Sequence, residues 1–541
     1  MNQPSAADEE AGDTVLFAPA GCGKTDFLAQ HAALLIERGS VRPPQQLLAL
    51  TFTHRAKANL RSRMVRYAGR GLTDRRTAVT NFHGLAARLY RHHASVIGAD
   101  PEITMPQRGA LLRLRRQVAE EHGCPPSDIA DQVRRAKQAV GIEEDPMTEL
   151  QAGGHSAAVA YEIALRSSGR LDFDDLIRAG AQLLQVPAVL RLYRARFRFV
   201  IVDEAQDLSR MQFELVDGLS KGRSLFAGDR AQGIFSFAGA EPQMVFDRIL
   251  ERSPTVVELE RSHRSSPAVL AVVSALAAEL GGRPIESADP ERWVGRGKVG
   301  VLKVNSVFDE AEYLVDMAQR WTDEHPDGSL GIIARTANRR RHVDRAIEAA
   351  GLAAEQWDLP IHSPTIVGLL RRHVRDVCAL PGSDRDRLQE LYLRALVELP
   401  SDDIEAQDEL VEATQGLEAS IEESTLAGAI AGIRIVGDPD EPAAPGVHLL
   451  NGHLGKGQQF TRVVIVGMEE AFIPNYPAIA SGNPEQVREE LAVLHVMASR
   501  AEEDLLFTCS GTVPTTTGRS MDREPCRWLP LIEPHAQLIT R

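Results

Sequence analysis

Short apolar runs that end in polar or glycine-rich residues, each followed by a helical pattern, recur along the chain. In the first, apolar residues at 15–17 precede a turn rich in glycine, and apolar positions from residue 27 onward repeat at helical spacing. The later runs are LLALTF (47–52), FRFVIV (197–202), SLFAGD (224–229), KVGVLKV (298–304), GSLGIIAR (328–335), VHLLNGH (447–453) and TRVVIVG (461–467). Strands that alternate with helices in this way predict an α/β fold with parallel sheets.

Two stretches carry helical patterns without such runs, at 94–170 and at 353–445. Residues 489–509 carry one more helical pattern and predict a single last helix. The chain is therefore expected to have four parts. They are an α/β domain at 1–93 and 171–256, its helical insertion at 94–170, a second α/β domain at 257–352 and 446–541, and its smaller helical insertion at 353–445.

Composition limits the class of protein. The 541 residues carry a net charge of −14, which argues against a protein wrapped uniformly in nucleic acid but allows a local basic groove. The five cysteines show no paired spacing, so we expect no zinc site, iron–sulfur cluster or disulfide framework. No apolar run is as long as a membrane span, and the N-terminus is polar and acidic. These features predict a cytoplasmic protein without a membrane partner.

The turn after the first apolar run has the spacing of a Walker A phosphate loop. Residues 18–25 read APAGCGKT, with Ala18 where the strict pattern has glycine. In such a loop, backbone N–H groups and the helix N-terminus cradle a polyphosphate, the lysine reaches the β- and γ-phosphates, and the threonine hydroxyl holds Mg²⁺. An ordinary strand–turn–helix is the alternative. The predicted nucleotide-binding residues are Ala20, Gly21, Cys22, Gly23, Lys24 and Thr25.

A second chemical pattern follows the apolar run FRFVIV, which leads directly into Asp203 and Glu204. An apolar strand that presents two carboxylates at its end is typical of a Walker B motif. Asp203 would then hold Mg²⁺, directly or through water, and Glu204 would orient and deprotonate the attacking water. Two acids that merely solvate a strand end are the alternative, which the Walker A pattern upstream disfavours.

Nine short motifs follow one another at characteristic spacing. They are APAGCGKT, LALTFTHRAKANL, NFHGLAARL, LDFDDLI, VIVDEAQD, GDRAQGIFSFAGA, HRSSP, HLGKGQQF and VMASRA. In this order, from about residue 16 to 507, the chain resembles the superfamily 1A DNA helicases of the UvrD/Rep/PcrA group. The resemblance implies two RecA-like P-loop domains, 1A and 2A, with insertions 1B and 2B. It also implies ATP and Mg²⁺ as cofactors, with ATP between the two domains and single-stranded DNA across their tops.

The resemblance assigns further roles to individual residues. Gln232 would sense the γ-phosphate, and Arg264 and Arg500 would stabilise transition-state charge from the second domain. Further nucleotide contacts would come from Gln3, Gly457 and Gln459, although Pro4 follows Gln3 and Gln459 stands where the family has glutamate. The implied DNA-binding residues are Phe52, His54, Phe82, His83, Phe235, Phe237, Arg335 and His453.

The predicted DNA side departs from the family pattern. Phe237 replaces a base-stacking Trp, Ala238 an Arg, and Phe235 a Tyr. Each aromatic ring could stack a base, at about 1–3 kcal/mol per base, or could belong to the core. The small 2B-like insertion contains a stretch at 401–423 with nine acids and no Lys or Arg, which phosphates would repel.

These departures leave two hypotheses. The first is an ATP-dependent 3′→5′ single-stranded DNA translocase or helicase that separates duplex poorly alone, with direction taken from the family. The second is a regulatory ATPase subunit of a complex, similar to the UvrD-like subunits of Gabija anti-phage systems, in which a partner bound at the acidic segment supplies nuclease activity.

Overall fold

A computed structural model gives the fold. The described residues are 12–52, 54–101, 103, 108–235, 239–357, 360–361, 363–400, 406, 409–410, 413–414, 417, 421, 425–431, 433–435, 443–452, 458–515 and 519–540. They fall into two compact units, the first comprising residues up to 19 and 23–259, and the second residues 20–22 and 260–541.

The first unit is built on a six-stranded sheet in the order β3-β2-β4-β5-β1-β6, in which every neighbouring pair is parallel. The strands are β1 (Asp13–Phe17), β2 (Gln46–Thr51), β3 (Thr77–Asn81), β4 (Phe197–Val202), β5 (Ser224–Gly228) and β6 (Thr255–Glu258). Because all strands run in one direction, the residues that follow β1, β4 and β5 meet at one edge of the sheet.

The helices of the first unit cover both faces of this sheet and build the region between β3 and β4. They are α1 (Lys24–Glu37), α2 (His54–Ala68), α3 (Arg70–Arg76), α4 (Phe82–His93), α5 (Arg108–His122), α6 (Pro126–Ala139), α7 (Pro146–Ala152), α8 (Ser156–Ser167), α9 (Phe173–Gln185), α10 (Pro187–Arg196), α11 (Arg210–Ser220) and α12 (Pro242–Leu250). Two apolar clusters lie against the sheet, and α5, α6, α7 and α8 enclose a separate core around Ile129 and Tyr161.

The second unit has its own parallel sheet, in the order β11-β14-β10-β15-β16-β9-β18, with β17 antiparallel to β16. Its strands are β7 (Arg261–Ser262), β8 (Glu286–Ser287), β9 (Val299–Ser306), β10 (Ser329–Ala334), β11 (Ala354–Gln356), β12 (Pro360–Ile361), β13 (Arg434–Ile435), β14 (Gly446–Asn451), β15 (Phe460–Val466), β16 (Ala501–Pro514), β17 (Ser520–Asp522) and β18 (Gln537–Thr540). Two short pairs, β7 with β8 and β12 with β13, lie outside the main sheet.

The helices of the second unit are α13 (Pro267–Glu279), α14 (Val307–Glu324), α15 (Ala337–Ala349), α16 (Pro364–Cys378), α17 (Asp384–Glu398), α18 (Leu426–Ala431), α19 (Tyr476–Ala480), α20 (Pro484–Ala498) and α21 (Leu529–Ile532). Helices α16, α17 and α18 share a core of their own around Leu370 and Leu391. Both units are thus α/β with parallel sheets, which confirms the predicted fold class.

The prediction of one last helix over 489–509 is wrong. Helix α20 ends at Ala498, and the 14-residue strand β16 begins at Ala501. Strand β16 lies between β15 and β9, and its residues 507–510 are buried. A parallel strand buried on both faces presents a continuous apolar run, which the periodicity of a short segment cannot distinguish from a helix.

Among the described residues, the longest apolar helical stretches are too short or too polar to cross a membrane.

Candidate functional site

The loop after β1 places Lys24 and Thr25 at the start of α1. The Ala18 N–H donates to the Gly228 carbonyl (3.0 Å), which ties the start of the loop to the end of β5. Gly23 precedes α1 with φ 84°, in the left-handed region where a side chain is strained. Glycine at position 23 therefore suits this turn, because glycine adopts the left-handed backbone conformation without strain.

Lys24 lies against both acids that follow β4. Its Nζ is 2.6 Å from Oε2 of Glu204 and 3.7 Å from Oδ1 of Asp203. The Glu204 N–H donates to Oδ1 of Asp203 (3.0 Å), and Glu204 itself has φ 54°. A non-glycine residue in this region is uncommon and tends to occur at functional sites. The structure thus brings together Lys24, Asp203 and Glu204, as the two motifs predict.

The electrostatics of this cluster suit a cation and a phosphate. Burial raises the pKa of Asp203 to about 6, with the charge of Lys24 acting in the opposite direction. Burial alone would lower the pKa of Lys24, but the Glu204 and Asp203 carboxylates raise it above its usual value. Mg²⁺ accepts hydroxyl and carboxylate oxygens as ligands. By donor type, Thr25 at the start of α1 and Asp203 after β4 therefore fit the predicted metal ligands.

A buried amide, which sequence reasoning overlooked, connects this cluster with the end of β5. Gln206 is fully buried; its Nε2 donates to Oε2 of Glu204 (2.5 Å), and its Oε1 accepts the Asp229 N–H (3.1 Å). Oδ2 of Asp229 in turn accepts Nε2 of Gln232 (2.8 Å). The sequence signal that could have revealed this contact is the glutamine two residues after Glu204, in DEAQD.

In the second unit, the segments that carry Arg264 and Arg500 run side by side. The Ser265 hydroxyl donates to the Ala501 carbonyl (2.6 Å), and the Ser266 N–H donates to the Glu502 carbonyl (2.7 Å). Arg500 is buried and donates from Nη2 to the Gly452 carbonyl (2.9 Å). Burial lowers the pKa of Arg500 to about 9. The two predicted arginines therefore belong to one local region of this unit.

The predicted DNA-binding residues have varied surroundings. Phe82 is 1% exposed in the core, so in this conformation its ring is not available to a base. Phe52 is half-buried, with its ring centroid 5.2 Å from that of Phe82, and His83 packs edge-on against Phe173 at 5.4 Å. Phe235 is also half-buried.

Arg335, another predicted DNA contact, forms an ion pair with Glu490. Its Nε lies 2.9 Å from Oε2 of that glutamate. A DNA phosphate would have to compete with this carboxylate. Gln459, a predicted nucleotide contact, is half-buried beside β15.

Several predicted residues cannot be placed. Gln3, Phe237, His453 and Gly457 lie outside the described residues, and the description of His54 is limited to its backbone at the start of α2. Most of the acidic stretch 401–423 is outside them too. The roles of these residues stay predictions.

The first unit holds a second lysine among acids, inside its helical region. Lys137 Nζ lies 2.7 Å from Oδ2 of Asp172, 2.7 Å from Oδ1 of Asp175 and 3.1 Å from Oε2 of Glu162. The three carboxylates are close enough to share a metal ion. The chain itself already supplies cations to this cluster, since Lys137 contacts all three acids and Arg166 also pairs with Glu162 (3.0 Å).

Comparison with known proteins agrees with this architecture. Residues 1–249 match the family model of the UvrD/REP helicase N-terminal domain. UvrD1 of Mycobacterium tuberculosis is 29% identical over 378 residues, which cover 65% of this chain and 48% of UvrD1. UvrD2 of the same species is 28% identical over 97% of this chain and 80% of UvrD2. PcrA of Staphylococcus epidermidis is 24% identical over 97% of this chain and 85% of PcrA. The chain spans about half the length of the UvrD1 relatives that it matches.

A parallel sheet whose edge carries a Gly-Lys-Thr loop and an Asp-Glu pair, together with a second parallel sheet in the other unit, defines a RecA-like P-loop protein. The matches to PcrA and UvrD2 each cover 97% of the chain, and they narrow the class of protein further. Residues 1–249 match the UvrD/REP helicase N-terminal domain, and over nearly its whole length the chain is similar to the UvrD/PcrA-like superfamily 1 helicases.

Proposed function

We propose that this chain hydrolyses ATP in response to single-stranded DNA and uses the energy to translocate 3′→5′ along one strand. The observation that carries the proposal is the cluster of Lys24, Asp203 and Glu204, at the edge where the parallel strands end. The named relatives, UvrD1, UvrD2 and PcrA, are ATP-dependent DNA helicases. The direction of movement rests on the resemblance to this family.

Each residue of the cluster has a distinct role in this proposal. Lys24 leaves Glu204 to bind the β- and γ-phosphates, which frees that carboxylate to accept a proton from the attacking water. Thr25 and Asp203 would hold Mg²⁺, and the ion would supply positive charge to the phosphates. Burial of Asp203 supports this role, since a buried carboxylate gains more from a cation than an exposed one.

Arg264 and Arg500 would supply positive charge to the transition state when the two units close on the nucleotide. Arginines used in this way contribute on the order of 10³-fold or more in rate. Their adjacent segments support a shared role, because one movement of the second unit would carry both. Closing and opening with each ATP would then move the units along the strand.

Phe52, His83 and Phe235 are our candidates for stacking bases, since none of them is fully buried. Because the 401–423 stretch contains nine acids and no Lys or Arg, phosphates would be repelled there. We therefore expect good translocation on single strands and poor duplex separation by the chain alone.

The test is the ATP turnover rate with and without single-stranded DNA, together with unwinding of a 3′-tailed duplex. We expect DNA to stimulate turnover and Lys24→Ala to lower it about 10²- to 10³-fold. If the ATP turnover rate is the same with and without nucleic acid, the proposed translocase function is contradicted. Processive unwinding of a long duplex by purified monomer would contradict the expected weakness on duplex.

No observation favours the alternative of a regulatory ATPase subunit in a Gabija-like complex. The named relatives are helicases, and most of the acidic stretch proposed to bind a partner lies outside the described residues.

A further inference from the structure

Gln206 lies in a single 3₁₀ turn (Ala205–Asp207) directly after the predicted catalytic acid. Its side chain is fully buried between the end of β4 and the end of β5. A buried amide needs partners for both its donor and its acceptor atoms, so the partners of Gln206 indicate what the residue does.

The amide joins two groups of different kinds. Its Nε2 donates to Oε2 of Glu204 (2.5 Å), the same oxygen that lies 2.6 Å from Lys24 Nζ. Its Oε1 accepts the backbone N–H of Asp229 (3.1 Å). A glutamine in this place cannot exchange the two contacts without losing both, because one end is only a donor and the other only an acceptor.

The end of β5 leaves space for the Gln206 amide because residue 228 is glycine. A Cβ atom on Gly228 would lie 2.7 Å from Oε1 of Gln206, so a larger residue there would displace it. Beyond it, Oδ1 of Asp229 accepts the Ala231 N–H (2.9 Å) and Oδ2 accepts Nε2 of Gln232 (2.8 Å). The hydrogen bonds therefore run from Glu204 through Gln206 and Asp229 to Gln232.

We propose that Gln206 is a positioning residue that holds the Glu204 carboxylate for water activation and fixes it relative to the 229–232 segment. The proposal rests on the proposed function. When Lys24 turns to phosphate, the bond from Gln206 remains as a restraint on Glu204. Without it, the carboxylate can rotate away from the water, and the chemical step slows while nucleotide binding is unchanged.

The first experiment compares kcat and KM for ATP in two variants. Gln206→Met removes both hydrogen bonds at similar volume, and Gln206→Glu places a second carboxyl group against Glu204, where the two groups must share a proton or repel each other. We expect kcat to fall at least about tenfold in both, with KM for ATP within about twofold. Gln182→Met is the matched control, because it removes one glutamine bond, to the Ile142 carbonyl, away from the site. It should leave kcat within about twofold.

The second experiment repeats Gln206→Met in a Glu204→Gln background. If Gln206 acts through the carboxylate, the residual rate changes less than about twofold, whereas a general structural role lowers it as much as in the wild-type background. Normal kcat in folded Gln206→Met, or a full additional loss in the double variant, would overturn this inference alone. A wild-type chain without DNA-stimulated turnover would overturn the proposed function as well.

Discussion

Lys24 and Lys137 both lie in the first unit, and each ammonium is within 3.7 Å of at least two carboxylates. Their surroundings differ. Lys24 begins a helix after a glycine-rich loop, and its partners follow a parallel strand whose end carries Glu204 at φ 54°. Lys137 belongs to α6 and contacts α8 and the start of α9, where Asp172 and Asp175 form a capping box.

The comparison shows that a buried lysine among acids does not by itself define a catalytic site. At Lys137 the ion pairs join helices, and the lysine side chain is 1% exposed. At Lys24 the groups lie at a sheet edge beside the loop that a phosphate would occupy in the proposed function. Location at the strand ends and unusual backbone geometry distinguish the two, and each can be tested.

Lys137→Met should produce the largest change in stability. Removing the ammonium takes a shared cation from the buried Asp172 and the half-buried Asp175, while Glu162 keeps its ion pair with Arg166; breaking a buried pair in this way costs about 3–5 kcal/mol. Denaturant unfolding will measure the loss. Lys221→Met, at an exposed ion pair, is the control and should cost less than about 1 kcal/mol. Turnover per folded molecule should remain near wild type in Lys137→Met, and a folded but inactive variant would break the comparison.

Lys24→Ala should have the opposite pattern, with a large loss of ATP turnover and a smaller loss of stability. We expect kcat for ATP to fall about 10²- to 10³-fold, because a positioned charge on the phosphates is lost. The free energy of unfolding should change less than in Lys137→Met, because the Lys24 and Glu204 side chains are 14% and 30% exposed and water can solvate the carboxylate that loses its partner. Steady-state turnover and denaturant unfolding on the same preparation will check both. If Lys24→Ala retains normal turnover, Lys24 does not have the proposed role of binding the phosphates.

Stability at Lys137 should also depend on pH. Burial and the neighbouring Asp172 raise the pKa of Asp175 from 3.8 to about 7, so the folded chain keeps a proton that the unfolded chain releases. This contribution is present at low pH and is lost as the pH rises through 7.

Between pH 5 and pH 8, the wild type should therefore lose about 2–3 kcal/mol more stability than Asp175→Asn. Unfolding by urea at the two pH values will measure the difference. Equal losses in both proteins would show that Asp175 is ionised throughout.

Cys22→Ala should have the smallest effect. Cys22 is buried within the phosphate loop, and a buried cysteine generally behaves as a small apolar side chain. Turnover should stay within about twofold, as expected of a small change without a lost hydrogen bond to nucleotide. A large loss would show that the thiol itself contributes to the site.

The sequence predicted those parts of the site that local pattern determines. Gly23, Lys24, Asp203 and Glu204 could be placed because a strand, a turn and a helix follow one another within a few residues. The helical region around Tyr161 and the parallel sheets could be predicted for the same reason.

Contacts between segments that are far apart in the sequence could not be predicted from local patterns. The bond from Gln206 to Asp229 spans 23 residues, and the ion pair of Arg335 with Glu490 spans 155. The burial of Phe82 depends on the packing of α4 against α9, which no local pattern reports. Strand β16 was mistaken for helix because its neighbours β15 and β9, not its own periodicity, determine its structure.

The most direct test compares two matched acid-to-amide changes, Glu204→Gln and Asp175→Asn, by DNA-stimulated ATP turnover. Glu204→Gln should reduce kcat about 10²-fold or more while still binding ATP, because only the proton acceptor is lost. Asp175→Asn should turn over ATP within about threefold of wild type, since its cluster joins helices. If Asp175→Asn loses turnover as severely while folded, or if Glu204→Gln keeps it, the assignment of catalysis to the Lys24 cluster is wrong.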